Sequence, residues 1–128
     1  MIVLDTHAWV WWACGNSHLS ALARRRIASA RARGVAAISQ WEVCMLVAKG
    51  RLILDRDPED WIQQALALDG VELLPLTGAV ASRATTLGSS FHADPADQLI
   101  VATALVHGAQ LVTRDSRIAD WNGIQTIW

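Results

Sequence analysis

Five acids of this 128-residue chain, Asp5, Glu42, Asp94, Asp97 and Asp115, have the type and placement to do chemistry. Asp5 directly follows the apolar run Ile2-Val3-Leu4, and Asp115 comes two residues after Ala109 to Thr113. Glu42 lies shortly after Val35 to Ile38, while Asp97, with Asp94 three residues earlier, opens the segment that leads into the run at 109. If these runs are strands of one parallel sheet, Asp5, Glu42 and Asp115 gather at its carboxyl edge, where open α/β sheets bind ligands. Asp97 joins them if its helix starts at that edge. Singly, each acid has an ordinary explanation: Asp5, Asp94 and Asp115 suit helix N-caps, and Asp97 suits the positive end of a helix dipole. As a set they do not, because four carboxylates without basic partners repel and raise one another's pKa. The nearby Arg114 and Arg117 are few and share one segment. A hard divalent cation fits such an oxygen donor set: Mg²⁺ or Mn²⁺, with Ca²⁺ a poorer support for chemistry. Such an ion takes further ligands from phosphate oxygens, so phosphodiester hydrolysis is one reaction the set would serve.

The elements that must position these acids alternate along the chain. Ile2 to Leu4 reads as a strand breaking into a short helix over Ala8 to Ala13. Ser17 or Ser20 caps a helix to about Arg33, stopped by Gly34, with Leu19, Leu22, Ala23, Ile27 and Ala30 on one stripe. Val35 to Ile38 is a second strand; Ser39 and Gln40 then start a helix, with Glu42 in its first turn, closed by Gly50. Asp57-Pro58-Glu59-Asp60 is a strong helix start, with Trp61, Ile62, Ala65, Leu66 and Leu68 as the apolar side. Val71 to Leu74 is a third strand, Thr77 opens a helix to about Leu87, and Asp94-Pro95 opens another to His107. Ala109 to Thr113 is a fourth strand, Ser116 to Trp121 a helical turn, and Ile124 to Ile127 a fifth strand. Short apolar strands alternating with helices predict an α/β fold with a central parallel sheet covered on both faces.

Composition sets bounds on partners and compartment. The chain is 52% hydrophobic and 18% charged, which predicts one folded domain over residues 1–128. No apolar stretch approaches the roughly 18 to 20 residues that span a bilayer, so no membrane association is expected. The first residues lack a basic region and meet an acid at Asp5, and two cysteines make no disulfide framework, so a cytoplasmic location is expected. Cys14 and Cys44 stand in apolar surroundings and read as small core residues. Net charge is -1, divided between seven basic and two acidic residues over 1–51 and four basic and ten acidic over 52–128. No general basic field holds nucleic acid, and any such contact is local.

Four segments carry a resemblance: Leu4-Asp5-Thr6-His7-Ala8, Ile38-Ser39-Gln40-Trp41-Glu42, the run from Phe91 to Ala104 that contains Asp94-Pro95-Ala96-Asp97-Gln98, and Leu111-Val112-Thr113-Arg114-Asp115. Together, and in this order, they resemble the PIN-domain ribonucleases of the VapC toxin type. The resemblance implies an α/β/α sandwich and an Mg²⁺- or Mn²⁺-dependent endoribonuclease, the toxin of a type II toxin–antitoxin pair. It also implies a homodimer, a cognate antitoxin that silences the RNA-cleaving site, and operator DNA bound only through that antitoxin. Carried onto this sequence, the acidic quartet is Asp5, Glu42, Asp97 and Asp115. Asp5, Glu42 and Asp97 would hold the principal metal, with Asp115 acting through water or toward a second ion. Thr113 matches a hydroxyl often found near the metal, Thr6 is a second such position, and Asp94 reads as a helix cap rather than a ligand. Gln98 departs from the family pattern, in which an Arg is common, and leaves a supporting charge in question.

Other features have plainer readings. Arg24-Arg25-Arg26 with Arg31 and Arg33 reads as a solvated face or as a guide for RNA or an acidic partner segment, and Arg26 falls beside the apolar stripe. Trp9, Trp11, Trp12 and Trp41 cluster around the first and third helices, and the three within four residues, Trp9, Trp11 and Trp12, cannot all point inward from one short helix, so an exposed one is expected to meet an antitoxin or the second protomer. His7 and His92 beside the acids suit structural hydrogen bonding. A receiver-like Mg²⁺ module, signalling or binding without nuclease activity, is the rival reading; it would want paired acids after the first strand and a late lysine, whereas Lys49 is the sole lysine. Neither a Walker-type loop nor a glycine-rich dinucleotide turn is present.

Overall fold

The computed structural model describes residues 1–128. Five strands, β1 (Ile2–Leu4), β2 (Arg33–Ala36), β3 (Val71–Leu74), β4 (Gln110–Val112) and β5 (Thr126–Ile127), form one sheet in the order β3-β2-β1-β4-β5. Every neighbouring pair is parallel. Seven helices connect them: α1 (Thr6–Cys14), α2 (Ala21–Ser29), α3 (Ala37–Ala48), α4 (Pro58–Leu66), α5 (Gly78–Ala84), α6 (Pro95–Val106) and α7 (Ser116–Trp121).

The alternation of side chains along β1 sends Ile2 and Leu4 to one face and Val3 to the other, and all three are buried. Ile2, Leu4, Val35, Val112 and Ile127 pack under Trp9 of α1, Ile27 of α2 and Trp61 of α4. Val3, Ala36, Leu74 and Leu111 pack on the opposite side under Ile100, Val101 and Ala104 of α6 and Ile118 of α7. Val80 and Ala84 of α5 close on Ala102 of α6. The result is the expected α/β/α arrangement. Its chain order moves outward from β1 through β2 to β3, then returns to β4 on the other side of β1. That reversal opens a crevice at the carboxyl end of β1.

The boundary between α2 and β2 departs from the sequence reading. The helix stops at Ser29, and β2 starts at Arg33, two residues before the expected Val35. Arg33 accounts for the stop: its Nε donates to the Ile27 carbonyl at 2.9 Å and its Nη2 to the Ala28 carbonyl at 3.2 Å, satisfying the helix end from the following strand. Gly34 is no helix stop but a strand residue, where a Cβ would come within 2.6 Å of Leu74 Cδ1. The third helix accordingly begins at Ala37 rather than Ser39, which puts Glu42 in its second turn, not its first.

Other expectations shift with burial. Leu22 is 42% exposed, so the stripe of α2 narrows to Ala23 and Ile27. Arg26 lies clear of the core and donates to Gln110 Oε1 at 2.8 Å. Leu68 lies beyond α4 and is exposed. Cys14 and Cys44 are both exposed free thiols rather than core residues, because each falls on the outward side of its helix. The α5 helix ends at Ala84, where Thr85 and Thr86 turn their hydroxyls back onto the carbonyls of Ser82 and Arg83.

Candidate active site

The crevice beyond β1 is a cleft of about 510 Å³ lined by Asp5, His7, Trp11, Glu42, Asp94, Asp97, Arg114, Asp115, Ser116 and Arg117. All four acids of the expected quartet face it, each delivered by a different piece of backbone. Asp5 terminates β1 and caps α1, accepting from the Thr6 amide at 2.8 Å. Asp115 leaves β4 and caps α7, accepting from the Arg117 amide at 2.9 Å. Glu42 projects from α3, and Asp97 stands in the first turn of α6.

Hydroxyls fix two of these carboxylates. Thr113 donates to Asp5 Oδ2 at 2.6 Å and accepts from the Asp115 amide at 3.0 Å, so one side chain couples the ends of β1 and β4. Thr6 donates to Glu42 Oε1 at 2.5 Å and is also within 2.9 Å of Ser39 Oγ. Neither threonine lines the cleft; each holds an acid that does. Asp94 is a cap, as expected, accepting from the amides of Ala96 at 3.0 Å and Asp97 at 3.3 Å.

Electrostatics divide the quartet. Burial raises the pKa of Asp5 and of Asp97, against the lowering effect of their hydrogen bonds to Thr113 and His92. Glu42 is pushed up to about 7, chiefly by burial, and the charges of Asp5, Asp97 and Asp94 add to the rise. Asp115 moves the other way because Arg117 holds it charged, with Nη2 2.8 Å from Oδ2 and Nε 3.2 Å from Oδ1.

Three neighbours were not assigned to the site from sequence. His92 places Nε2 at 2.7 Å from Asp97 Oδ2, the hydrogen-bonding role expected of it, and joins Asp97 and Asp115 in a group whose ligand atoms lie within 4.8 Å of one another. Arg117 reaches Asp97 Oδ2 at 3.4 Å as well as Asp115, so one arginine does partner two of the acids. Ser39 backs Thr6. Gln98 does not replace the missing charge; its amide donates to the His92 carbonyl at 3.3 Å and steadies the loop that carries the imidazole. His7 lies against Trp11, ring centroids 5.6 Å apart.

The donor set fits a hard divalent cation. Three buried or half-buried carboxyls have raised pKa values, and the one guanidinium bonded to the group reaches Asp97 and Asp115 but makes no bond to Asp5 or Glu42. A cation beside these oxygens would relieve the raised pKa values; the donor atoms close enough to one another to share one ion are those of His92, Asp97 and Asp115, while Asp5 and Glu42, ordered by Thr113 and Thr6, line the same cleft.

Comparison with known proteins identifies the family. A family model described as the PIN domain matches residues 2–123. The chain belongs to the PIN-domain family. Within it, the chain is 40% identical over 117 residues to Ribonuclease VapC22 of Mycobacterium tuberculosis, covering 91% of this chain and 88% of that protein. The fold of this PIN domain superposes on VapBC2 from Rickettsia felis bound to a promoter DNA fragment, with TM-score 0.71 and 16% identity, over 98% of this chain and 97% of that one. DNA-bound VapBC from Salmonella typhimurium gives TM-score 0.69 at 18% identity, with 98% and 97% covered. A toxin-antitoxin complex from Klebsiella pneumoniae gives 0.64 at 21%, with 97% and 92% covered. In PIN-domain terms, the cleft carries the acids that follow β1 and β4, the strands that flank the chain reversal, and the family match stands in place of the receiver-like alternative.

Proposed function

We propose that this PIN-domain protein is a Mg²⁺- or Mn²⁺-dependent endoribonuclease, the toxin of a type II toxin–antitoxin pair. The observation that carries the reading is the convergence of Asp5, Glu42, Asp97 and Asp115 on one cleft, with raised pKa values on the first three. The 40% identity to a ribonuclease over most of both chains supports the same chemistry.

Asp5, Glu42 and Asp97 would hold the principal cation, with Asp115 beside it. When bound, such an ion supplies the charge that favours ionisation of a water and steadies the leaving oxygen of a phosphodiester. The chain's own groups prepare that site. Thr113 and Thr6 fix the orientation of Asp5 and Glu42, His92 fixes Asp97, and the Arg117 guanidinium holds Asp115 and reaches Asp97 at the same edge. Attack by water on the scissile phosphate would leave a 5′-phosphate and a 3′-hydroxyl.

We extend to this chain the setting of its solved neighbours, which are toxin–antitoxin assemblies, two of them on DNA. On this reading the protein is a cytoplasmic homodimer, silenced by a cognate antitoxin that also carries the pair to operator DNA. No helix is long and apolar enough to cross a membrane.

Asp5→Ala and Asp97→Asn test the assignment. Each is expected to abolish Mg²⁺-dependent RNA cleavage by antitoxin-free protein while the circular dichroism spectrum stays that of the parent. A folded variant with full activity removes that residue from the site.

A further inference from the structure

The arginine run of α2 has no part in the cleft or in the core. Between Asp5 and Glu42 the chain carries five arginines, Arg24, Arg25, Arg26, Arg31 and Arg33, and no acid. Every side-chain hydrogen bond they make goes to a neutral group: Arg24 to the Asn16 carbonyl at 3.4 Å, Arg26 to Gln110 Oε1 at 2.8 Å, and Arg33 to backbone carbonyls. None of the five enters an ion pair. The helix buries only Ala23 and Ile27, so Arg24, Arg25 and Arg26, each about 100° further round, fan across its exposed side. Their charge is left uncompensated by any side chain of the protein.

This face is joined to the cleft by a chain of contacts. Arg114 and Trp11 line the cleft, with the guanidinium carbon 5.8 Å from the ring centre of the indole. His18 stacks on the same indole at 5.3 Å, its amide donates to Asn16 Oδ1 at 2.8 Å, and the Asn16 carbonyl receives Arg24. Unlike Arg117, Arg114 forms no ion pair and no side-chain hydrogen bond. Cations thus stand at both ends of a path from the cleft to α2 that includes no aspartate or glutamate.

We propose that Arg24 and Arg25, continuing from Arg114, form a track for the phosphates of the RNA that extends beyond the cleft. The track rests on the reading of the cleft as a ribonuclease site and adds a binding region outside it. An RNA cut within its length has chain on both sides of the scissile phosphate, so the strand must leave over the rim, and a row of unpaired guanidinium groups is suited to phosphate oxygens. Ten of the twelve acids lie beyond residue 51, so the protein's total charge gives a polyanion no general attraction and a local row must supply the grip. Phosphate contacts carry no sequence information, so the track adds affinity and register and leaves the choice of cleavage sequence to the cleft. Continuity with the cleft favours RNA over an acidic protein segment as the occupant.

Binding of fluorescein-labelled oligouridylates of 4 to 20 nucleotides tests this, measured by anisotropy in Ca²⁺ buffer across a series of salt concentrations and compared with cleavage in Mg²⁺. Affinity of the parent should rise with RNA length. The double variant Arg24→Ala/Arg25→Ala is expected to bind the longest RNA roughly tenfold more weakly at 0.1 M salt and to lower the slope of log K against log salt by about 1, since each phosphate contact on a single strand contributes about 0.7. The same variant should bind the shortest RNA as the parent does, and on the longest its KM should rise with little change in kcat. Arg24→Lys/Arg25→Lys should keep most of the affinity and the slope, because the charge and not the shape of the helix makes the contact. Equal affinity and slope for the parent and the double alanine variant at every length overturn the track, as does failure of the parent to bind RNA. Loss of binding to a polyglutamate peptide in that variant, with RNA affinity unchanged, also overturns it and assigns the face to an acidic protein segment. Arginine-dependent, length-dependent binding without any cleavage upholds the track and overturns the nuclease reading; cleavage of long RNA that is indifferent to Arg24 and Arg25 does the reverse.

Discussion

Glu42 shows most directly what the site does to its own members. An unfolded chain releases this proton near 4.5, whereas the fold holds it to about 7. Between those values the folded state binds the extra proton, so stability falls as pH rises through the window and stays low above it. Glu42→Gln, which cannot ionise, is therefore expected to be more stable than the parent in chelator at pH 8, by about 1 kcal/mol after discounting for solvent screening of a half-buried group. Thermal melts in chelator should show the difference growing from about pH 4.5 to about pH 7; a difference independent of pH would mean that Glu42 is not strained by its charge. The four acids were legible in the sequence because each follows a strand or opens a helix at one edge of a sheet. The groups around them were harder to place. His92 and Arg117 reach Asp97 through the paths of two connecting segments, which no spacing encodes, and the exposure of Cys14 and Cys44 depends on helix faces that are apolar nearly all round.

Arg33 matters to the elements as much as Glu42 does to the site. Its guanidinium joins the Ile27 and Ala28 carbonyls at the end of α2 to the Asp69 carbonyl before β3, at 2.9, 3.2 and 3.3 Å, and lies 5.5 Å from the ring centre of Trp12 on α1. Arg33→Ala is expected to destabilise the fold by about 2 kcal/mol, and Arg33→Lys to recover little of it, since an ammonium cannot serve three carbonyls in a plane. Chemical denaturation of the three proteins checks this; an unchanged midpoint for Arg33→Ala would show that the helix end needs no such cap. The same residue explains why this boundary misled. A glycine after a basic helical stretch signals a stop, but here the signal came from Gly34 inside β2, while the true stop was made by a side chain reaching backwards. Boundaries marked by capping side chains, at Asp57, Thr77 and Asp94, fell where the sequence placed them.

For the molecule as a whole, a net charge of -1 conceals two regions. Without the four clustered acids the remaining charge is +3, a mildly basic body around an acidic cleft. A cation that binds the folded state alone stabilises it by mass action, about 2.7 kcal/mol at a hundred times its Kd. Mg²⁺ or Mn²⁺ should thus raise the Tm of the parent by several degrees and that of Asp97→Asn by much less; equal shifts would place the ion elsewhere. The proposed homodimer predicts a solution mass near twice 13.9 kDa by light scattering. The layered fold was readable because its strands are short apolar runs alternating with helices, but which exposed apolar groups meet a partner, Trp41 at 56% exposure among them, was not, since that depends on the partner's shape. The most direct test of the central claim is RNA cleavage by purified, antitoxin-free protein in Mg²⁺, in excess chelator, and with Asp97→Asn. Cleavage in Mg²⁺ that vanishes in chelator and in the folded variant is the predicted result; cleavage that persists in either, or no cleavage by the parent in Mg²⁺ or Mn²⁺, would contradict it.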